Sequence, residues 1–189
     1  MTSRRTLRRA VIFHGYGATP EDHWFGWLAG RLEADGIQTT IPALPNPLAP
    51  GSEQWEAAAR SALGTPNEQA VVVAHSLGCL TALRALRSLA GSWRLGALVL
   101  VSGFVDPLPV LPGLDGFIAG GCDLSGLRDR INRIAIIRSD DDPLVPPAHT
   151  DRLADLFGVK VQEVPGAGHF LADDGITELP AAYDALTPQ

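Results

Sequence analysis

Two uninterrupted apolar runs constrain the fold of this chain more than any other feature of its sequence. They are Val71-Val72-Val73 and Ala97-Leu98-Val99-Leu100-Val101. A strand with one face in water alternates apolar and polar residues, so an unbroken apolar run predicts a strand that is covered on both faces. Similar short runs recur along the chain, with helical patterns between most of them. The alternation predicts an α/β fold: a three-layer sandwich with a mostly parallel central sheet and helices on both faces.

The boundaries of these elements follow from turn and capping residues. Thr19 can cap a helix, Pro20 suits the first helical position, and Asp22 completes a pattern that resembles a capping box. Residues 104–125 have no clear period and form either a surface loop or a small cover over the site, with Phe104, Phe117 and Ile118 as candidates for the cover. We predict strands at residues 10–14, 38–41, 70–75, 96–101, 134–138 and 159–164, and helices at residues 20–34, 52–63, 77–90, 149–157 and 171–186.

Length and composition limit the classes of protein to which the chain can belong. Its 189 residues predict a single domain, with residues 1–9 as a flexible lead-in that carries Arg4, Arg5, Arg8 and Arg9. A net charge of −6 gives no reason to expect nucleic acid or an anionic membrane as a partner. Two cysteines, Cys79 and Cys122, suit neither a disulfide framework nor a metal site, which favours a reducing cytoplasm. We expect no cofactor and no metal, and a monomer or homodimer.

A candidate nucleophile lies where the third predicted strand meets a helix. The sequence Ala74-His75-Ser76-Leu77-Gly78 has the form of the nucleophile elbow G-x-S-x-G, with Ala74 in the first glycine position. A nucleophilic serine must project from a sharp turn, so the positions two before and two after it must be small. The alternative is a surface serine that only caps the following helix.

A serine needs a general base, and in folds with this elbow an acid and then a histidine follow the serine along the chain. His169 lies in the glycine-flanked loop Gly166-Ala167-Gly168-His169, past the end of the last predicted strand. Of the five histidines, it combines the expected order with a position at the carboxyl edge of the sheet. We predict His169 as the base.

The acid comes from the run Asp140-Asp141-Asp142-Pro143 after the fifth predicted strand. We choose Asp142, because Pro143 fixes the backbone that follows it, and keep Asp140 and Asp141 as alternatives. A Mg²⁺ or Ca²⁺ site is the competing interpretation, but counted from Asp140 the sixth and twelfth positions lack the Gly and Glu of an EF-hand loop.

Backbone N–H groups are predicted to stabilise the oxyanion of a tetrahedral intermediate. Leu77 supplies the first N–H, at the start of the helix after Ser76. The glycine-rich loop His14-Gly15-Tyr16-Gly17 supplies the second, for which we choose Tyr16, with Gly17 as the alternative.

In order along the chain, these motifs resemble the α/β-hydrolase superfamily. The short length and the run His23-Trp24-Phe25-Gly26-Trp27-Leu28 resemble the small serine hydrolases of the retinoblastoma-binding protein nine and YdeN type. The resemblance implies a minimal hydrolase without a large lid, with Ser76, Asp142 and His169 as its triad. Because Leu77-Gly78-Cys79-Leu80-Thr81 lacks the Glu of the Leu-x-Cys-x-Glu motif, binding to the retinoblastoma protein is not transferred.

Several residues near these motifs are candidates for contact with a substrate. Trp24 also lies at helical spacing with Trp27 and Leu28, and that spacing favours simple packing on the sheet. Trp55 and residues 45–51 are candidates for the opposite wall of a pocket. The candidate substrate-binding residues are His14, Gly15, His23, Trp24, His75 and Phe170.

The combined prediction is a serine hydrolase that cleaves small carboxylic esters or related acyl substrates through an acyl-enzyme on Ser76. Thioesterase and peptidase activity use the same groups. The alternative is a non-catalytic small-ligand or protein-binding module on the same fold.

Overall fold

One parallel sheet forms the centre of the computed structural model, which describes residues 6–187. Its strands are β1 (Arg9–Phe13), β2 (Gln38–Thr40), β3 (Ala70–His75), β4 (Ala97–Val101), β5 (Ile134–Arg138) and β6 (Val161–Glu163). The six strands lie in the order β2-β1-β3-β4-β5-β6, and every neighbouring pair is parallel. The carboxyl ends of all six strands therefore meet at one edge, where ligand sites collect in sheets of this type.

Helices cover both faces of the sheet. They are α1 (Phe25–Ala34), α2 (Ser52–Leu63), α3 (Leu77–Ser88), α4 (Asp115–Ile118), α5 (Pro147–Phe157) and α6 (Pro180–Leu186). Residues of α2, α3 and α5 pack in the core on one face, and those of α1 and α6 pack on the other. The predicted three-layer α/β sandwich is confirmed. Within residues 6–187, no helix is both long enough and apolar enough to cross a membrane.

Strand β3 explains why the sequence has unbroken apolar runs. Val72 packs in the core under α2, α3 and α5, whereas Val71 and Val73 pack in the core under α1 and α6. Burying a valine side chain contributes about 1.5–3 kcal/mol, so both faces of this strand favour apolar residues. This central strand carries Ser76 immediately after its last residue.

The first strand begins earlier than predicted. The N–H of Arg8 donates to the carbonyl of Gln69 at 2.8 Å, and the carbonyl of Arg8 accepts from Gln38 at 2.9 Å. Arg9 thus belongs to β1, and Arg8 is fixed to the neighbouring strands by these two hydrogen bonds, so neither is part of a flexible lead-in. Arg4 and Arg5 lie outside the described residues.

The helix predicted at residues 20–34 begins only at Phe25. The carboxylate of Asp22 does accept the N–H of Thr19, at 2.7 Å, but this bond closes a turn and not a helix. His23 has φ 54°, in the left-handed region, which a right-handed helix does not contain. The predicted contact between Thr19 and Asp22 is therefore present, but the predicted helix start at residue 20 is wrong.

The helix predicted at residues 171–186 is also two separate elements. A short 3-10 turn spans Ala172–Asp174 and ends at Gly175, whose φ is 82°. The α-helix α6 begins at Pro180, whose fixed φ suits a first helical position. The segment between them leaves the helical path, which apolar periodicity alone did not reveal.

Residues 104–125 are folded against the core. The guanidinium group of Arg84 donates to four carbonyl groups of this segment, at distances of 2.8–3.1 Å: those of Phe117, Ile118, Ala119 and Gly121. Phe104 and Ile118 are fully buried and pack in the core under α2, α3 and α5. Phe117 packs edge-on against Trp55, with ring centroids 5.4 Å apart.

Candidate active site

Ser76 occupies a strained turn between β3 and α3. Its φ is 55°, a value that few residues other than glycine adopt. The turn requires close packing, because a Cβ at Gly78 would lie 2.4 Å from the carbonyl oxygen of His14. A Cβ at Gly15 would lie 3.0 Å from the Cβ of Ser76. These contacts keep both glycine positions free of side chains and hold the hydroxyl of Ser76 at the carboxyl edge of the sheet.

A continuous chain of hydrogen bonds joins three side chains that are far apart in sequence. His169 Nε2 lies 2.9 Å from Ser76 Oγ, and His169 Nδ1 lies 2.8 Å from Asp142 Oδ2. All three residues are at least nine-tenths buried. An ionised carboxylate can only accept, so Nδ1 carries the proton and Nε2 is free to accept one from the serine.

Asp142 is held as an anion by the groups around it. Burial alone would raise the pKa of its carboxyl group, but the hydrogen bond and charge of His169 and the N–H groups of Val145 and Leu144 lower it below the ordinary value. Both N–H groups donate to Oδ1, at 2.9 Å each.

Ser102 is a site residue that the sequence analysis missed. Its hydroxyl donates to Asp142 Oδ2 at 2.9 Å, on the same oxygen that faces His169. Ser102 directly follows β4, is fully buried and has φ 48°. Ser102 could have been predicted as a site residue from its position, because it is a polar residue just past a buried central strand, and ligand sites form at that edge of a parallel sheet.

The two other aspartates of the acidic run bind the loop that carries His169 (residues 166–174), which is called the histidine loop below. Asp141 Oδ1 accepts the N–H of Gly168 at 2.9 Å, and Asp140 Oδ1 accepts the N–H of Gly166 at 2.7 Å. Both are exposed, whereas Asp142 is buried. The alternatives for the acid are therefore anchors of the loop that carries His169. Among the described residues, no three or more His, Cys, Asp or Glu side chains are arranged so that they could hold a metal ion.

Asp174 anchors the other side of this loop, and the sequence analysis missed it as well. Its Oδ2 accepts the N–H groups of His169 and Leu171, at 2.9 and 3.0 Å. A Cβ at Gly168 would lie 2.6 Å from the carboxyl carbon of Asp174. Glycine at position 168 thus allows the carboxylate to reach the backbone of the histidine.

The backbone around Ser76 offers two N–H groups for an oxyanion. Within residues 6–187, neither Leu77, the first residue of α3, nor Tyr16 donates its N–H to another group. The N–H of Gly17 donates to the carbonyl of Pro47 at 2.8 Å, so Gly17 is not a free donor. Between the two candidates for the second donor, this geometry favours Tyr16.

His14 and His75 were predicted to contact substrate, but both are buried and bind backbone groups of the loops around the site. His14 Nε2 accepts the N–H of Leu44 at 2.9 Å, and its Nδ1 donates to the carbonyl of Gly15 at 3.0 Å, so both ring nitrogens are occupied. His75 Nε2 donates to the carbonyl of His169 at 2.8 Å. Burial and the neighbouring His169 lower the pKa of His75 well below its ordinary value, which keeps the ring neutral.

The aromatic candidates for a pocket wall lie deeper than predicted. Trp24 and Phe170 are fully buried in the core under α1 and α6, in agreement with the packing interpretation of Trp24. Trp55 is fully buried too, and its Nε1–H donates to the carbonyl of Pro45 at 2.7 Å. His23 is half-buried, and its Nδ1 accepts the N–H of Ala172, a residue of the histidine loop, at 3.0 Å.

Cys79 lies on α3 behind Ser76. Its thiol is fully buried and donates weakly to the carbonyls of Ala74 and Val101, at 3.3 and 3.5 Å. Burial raises the pKa of this thiol well above its ordinary value. A neutral thiol in this position is a packing group.

The parallel sheet, the strained serine turn and the order of the site residues along the chain define the α/β-hydrolase class. The sequence profile of the serine hydrolase family matches residues 10–188, and the chain belongs to that family. It is 42% identical over 180 residues to the hydrolase-family protein YdeN of Bacillus subtilis (strain 168), with 95% of each chain covered.

Solved structures agree with this assignment. The crystal structure of the Bacillus subtilis ydeN gene product matches with a TM-score of 0.91 and covers 95% of this chain and 97% of that one. An α/β-superfamily protein of Xanthomonas campestris pv. campestris matches with a TM-score of 0.66 at 20% identity, over 95% of both chains. Est1E from Butyrivibrio proteoclasticus matches with a TM-score of 0.62 at 16% identity, over 89% of this chain and 82% of that one. At these lower identities the likeness concerns the fold alone.

Proposed function

We propose that this serine hydrolase cleaves small carboxylic esters through an acyl-enzyme on Ser76, with His169 as base and Asp142 as the orienting acid. The observation that carries the proposal is the buried chain of hydrogen bonds from Ser76 Oγ to His169 (2.9 Å) and from His169 to Asp142 (2.8 Å). A side chain that only capped α3 would not need a histidine and an aspartate in series behind it.

In the first half of the reaction, Ser76 Oγ attacks the ester carbonyl while His169 Nε2 takes the hydroxyl proton. The carbonyl oxygen becomes an oxyanion, for which the N–H groups of Leu77 and Tyr16 are the proposed donors. The tetrahedral intermediate then collapses. The bond to the leaving oxygen breaks, His169 returns the proton to that oxygen, and an alcohol departs.

In the second half, water attacks the acyl-enzyme and gives its proton to His169. The bond to Ser76 Oγ breaks, the serine recovers the proton, and a carboxylic acid leaves. Asp142 stays ionised throughout, which agrees with the direction in which its surroundings move its pKa. Thioesters and amides react by the same steps, so the preference for esters is itself part of the proposal.

Two further parts of the proposal concern the setting of the enzyme. The substrate is a small molecule, with neither nucleic acid nor membrane as a partner. The protein acts in the cytoplasm, a proposal supported by Cys79 and Cys122, both of which are free thiols.

The test is labelling with a fluorophosphonate followed by intact mass measurement. The native chain should gain one phosphonyl group, and Ser76→Ala and His169→Ala should abolish the gain. His149→Ala is the matched control, because His149 lies on the first turn of α5, outside the three proposed catalytic residues, and its substitution leaves the backbone hydrogen bond to Pro146 in place. Absence of labelling in a folded native chain would refute the proposal and favour the non-catalytic binding module.

A further inference from the structure

An open cleft of about 770 Å³ lies beside the proposed oxyanion donor. One wall comes from Tyr16 and residues 48–50, and the other from residues 110–114, Gly116 and Phe117. Such a volume falls within the range of small-molecule sites, about 300–1,000 Å³. The cleft is a feature that the sequence analysis did not predict.

The side chains that line this cleft are uncharged and mostly apolar. In the described part of the chain, four large hydrophobic side chains are exposed, and Tyr16, Leu48 and Val110 are three of them. All three line the cleft, and Leu48 is 75% exposed. None of the described residues in the lining is an Asp, Glu, Lys or Arg. Exposed apolar groups gathered in one concave place indicate a binding surface for an apolar group.

The cleft lies beside the loop of residues 14–17, which packs against the catalytic turn. Tyr16 follows Gly15, and a Cβ at Gly15 would lie 3.0 Å from the Cβ of Ser76. The loop that carries Leu48 is tied to residues 14–17 by the hydrogen bond from the N–H of Gly17 to the carbonyl of Pro47. Tyr16 therefore links the two places: its backbone N–H is a proposed oxyanion donor, and the residue lines the cleft.

The chemistry of the site decides which half of the substrate enters. The leaving oxygen must stay near His169, because His169 Nε2 returns the proton to it. The histidine loop (residues 166–174) and the aspartate loop (residues 139–142) contribute nothing to the lining of the cleft. The cleft thus lies on the side of the oxyanion donor and away from the leaving group.

We infer that this cleft is the acyl-binding subsite and that the preferred substrates are esters of medium-length, uncharged aliphatic acids. The inference rests on the proposed function and adds the substrate class to it. Each methylene that enters an apolar cleft raises kcat/KM, by about twofold to fourfold where burial is partial to complete.

The test measures kcat/KM for p-nitrophenyl esters from acetate to decanoate, a series in which only the acyl chain changes. The native enzyme should gain about twofold to fourfold per methylene up to octanoate. The double variant Leu48→Ser/Val110→Ser should lose about tenfold on octanoate and less than about twofold on acetate. Because Leu48 and Val110 are 75% and 51% exposed, these substitutions remove little core packing.

Leu156→Ser is the matched control, because Leu156 is 49% exposed on α5 and does not line this cleft. It should leave the chain-length profile unchanged. Labelling by a small ethyl fluorophosphonate separates the two proposals, since it requires the activated serine and no apolar subsite. Normal labelling with a flat native profile, or with equal slopes in the native enzyme and the double variant, would overturn the acyl subsite alone. Loss of labelling would overturn the proposed function.

Discussion

The role of Asp142 as the orienting acid is tested most directly by making the same substitution at two neighbouring aspartates, Asp142→Asn and Asp141→Asn. In Asp142→Asn, Oδ1 remains an acceptor for the N–H groups of Leu144 and Val145. The new NH₂ group then takes the place of Oδ2, which now faces His169 Nδ1 at 2.8 Å. Two N–H groups cannot face each other, so His169 must present an unprotonated Nδ1 and carry its proton on Nε2. In that tautomer the ring cannot accept the proton of Ser76.

The size of the effect follows from this change of tautomer. A base held in the wrong tautomer lowers kcat by about 10⁴-fold, equivalent to about 5 kcal/mol in the activation barrier. The free energy of unfolding should fall by less than this. The amide of the Asp142→Asn variant keeps both hydrogen bonds at Oδ1 and donates to His169 Nδ1, so only the bond from Ser102 is lost, and a lost bond to a charged group costs about 1.5–3 kcal/mol.

Asp141→Asn is the matched control. Its Oδ1 can still accept the N–H of Gly168, and the side chain is exposed, so kcat should stay within about threefold of the native value. The assay is p-nitrophenyl ester hydrolysis, with circular dichroism to verify that each variant is folded. An active Asp142→Asn protein beside an inactive Asp141→Asn protein would refute the assignment of roles to these aspartates.

Three further predictions concern stability. Because the pKa of Asp142 is lowered on folding, its stabilising effect is complete above the unfolded value of 3.8 and is lost as pH falls through the folded value. Urea unfolding of Asp142→Asn should therefore be less sensitive to pH below about 4 than that of the native chain, and parallel curves would contradict this. Gly78→Ala should destabilise the fold by about 3 kcal/mol or more in thermal unfolding, because its Cβ would lie 2.4 Å from the carbonyl oxygen of His14. Arg84→Met should expose residues 104–125 to faster limited proteolysis, because four carbonyls lose their donor, and an unchanged cleavage rate would argue against this anchoring role.

Local patterns were sufficient for the fold class and the nucleophile turn. The unbroken apolar run of β3 indicates burial on both faces, and the small residues around Ser76 indicate the close approach of strand and helix. Both properties restrict the residue types at consecutive positions of the chain, so they leave a pattern in a single sequence. The position of His169 in a glycine-flanked loop after the last strand could be predicted from the sequence for the same reason.

The sequence predicted that the acid lies in the run of three aspartates, but it did not firmly distinguish which of them faces His169. Asp140, Asp141 and Asp142 are consecutive, and no local rule separates them by type. Their roles depend on how the histidine loop crosses the end of β5, because Asp140 and Asp141 bind its backbone and leave Asp142 to face the ring. Ser102 was missed because its partner lies 40 residues further along the chain.

By itself, the sequence determined the parallel sheet, the strained serine turn and the order of the three site residues, because each depends on short-range periodicity or on the size of neighbouring side chains. Only the tertiary structure decided which backbone N–H is free, which aromatic rings are core and where an acyl chain can lie. Gly17 is excluded as a donor by Pro47, and the apolar cleft gathers Tyr16, Leu48 and Val110 from separate loops. Such contacts arise only when the sheet brings distant segments to one edge, and no local pattern records them.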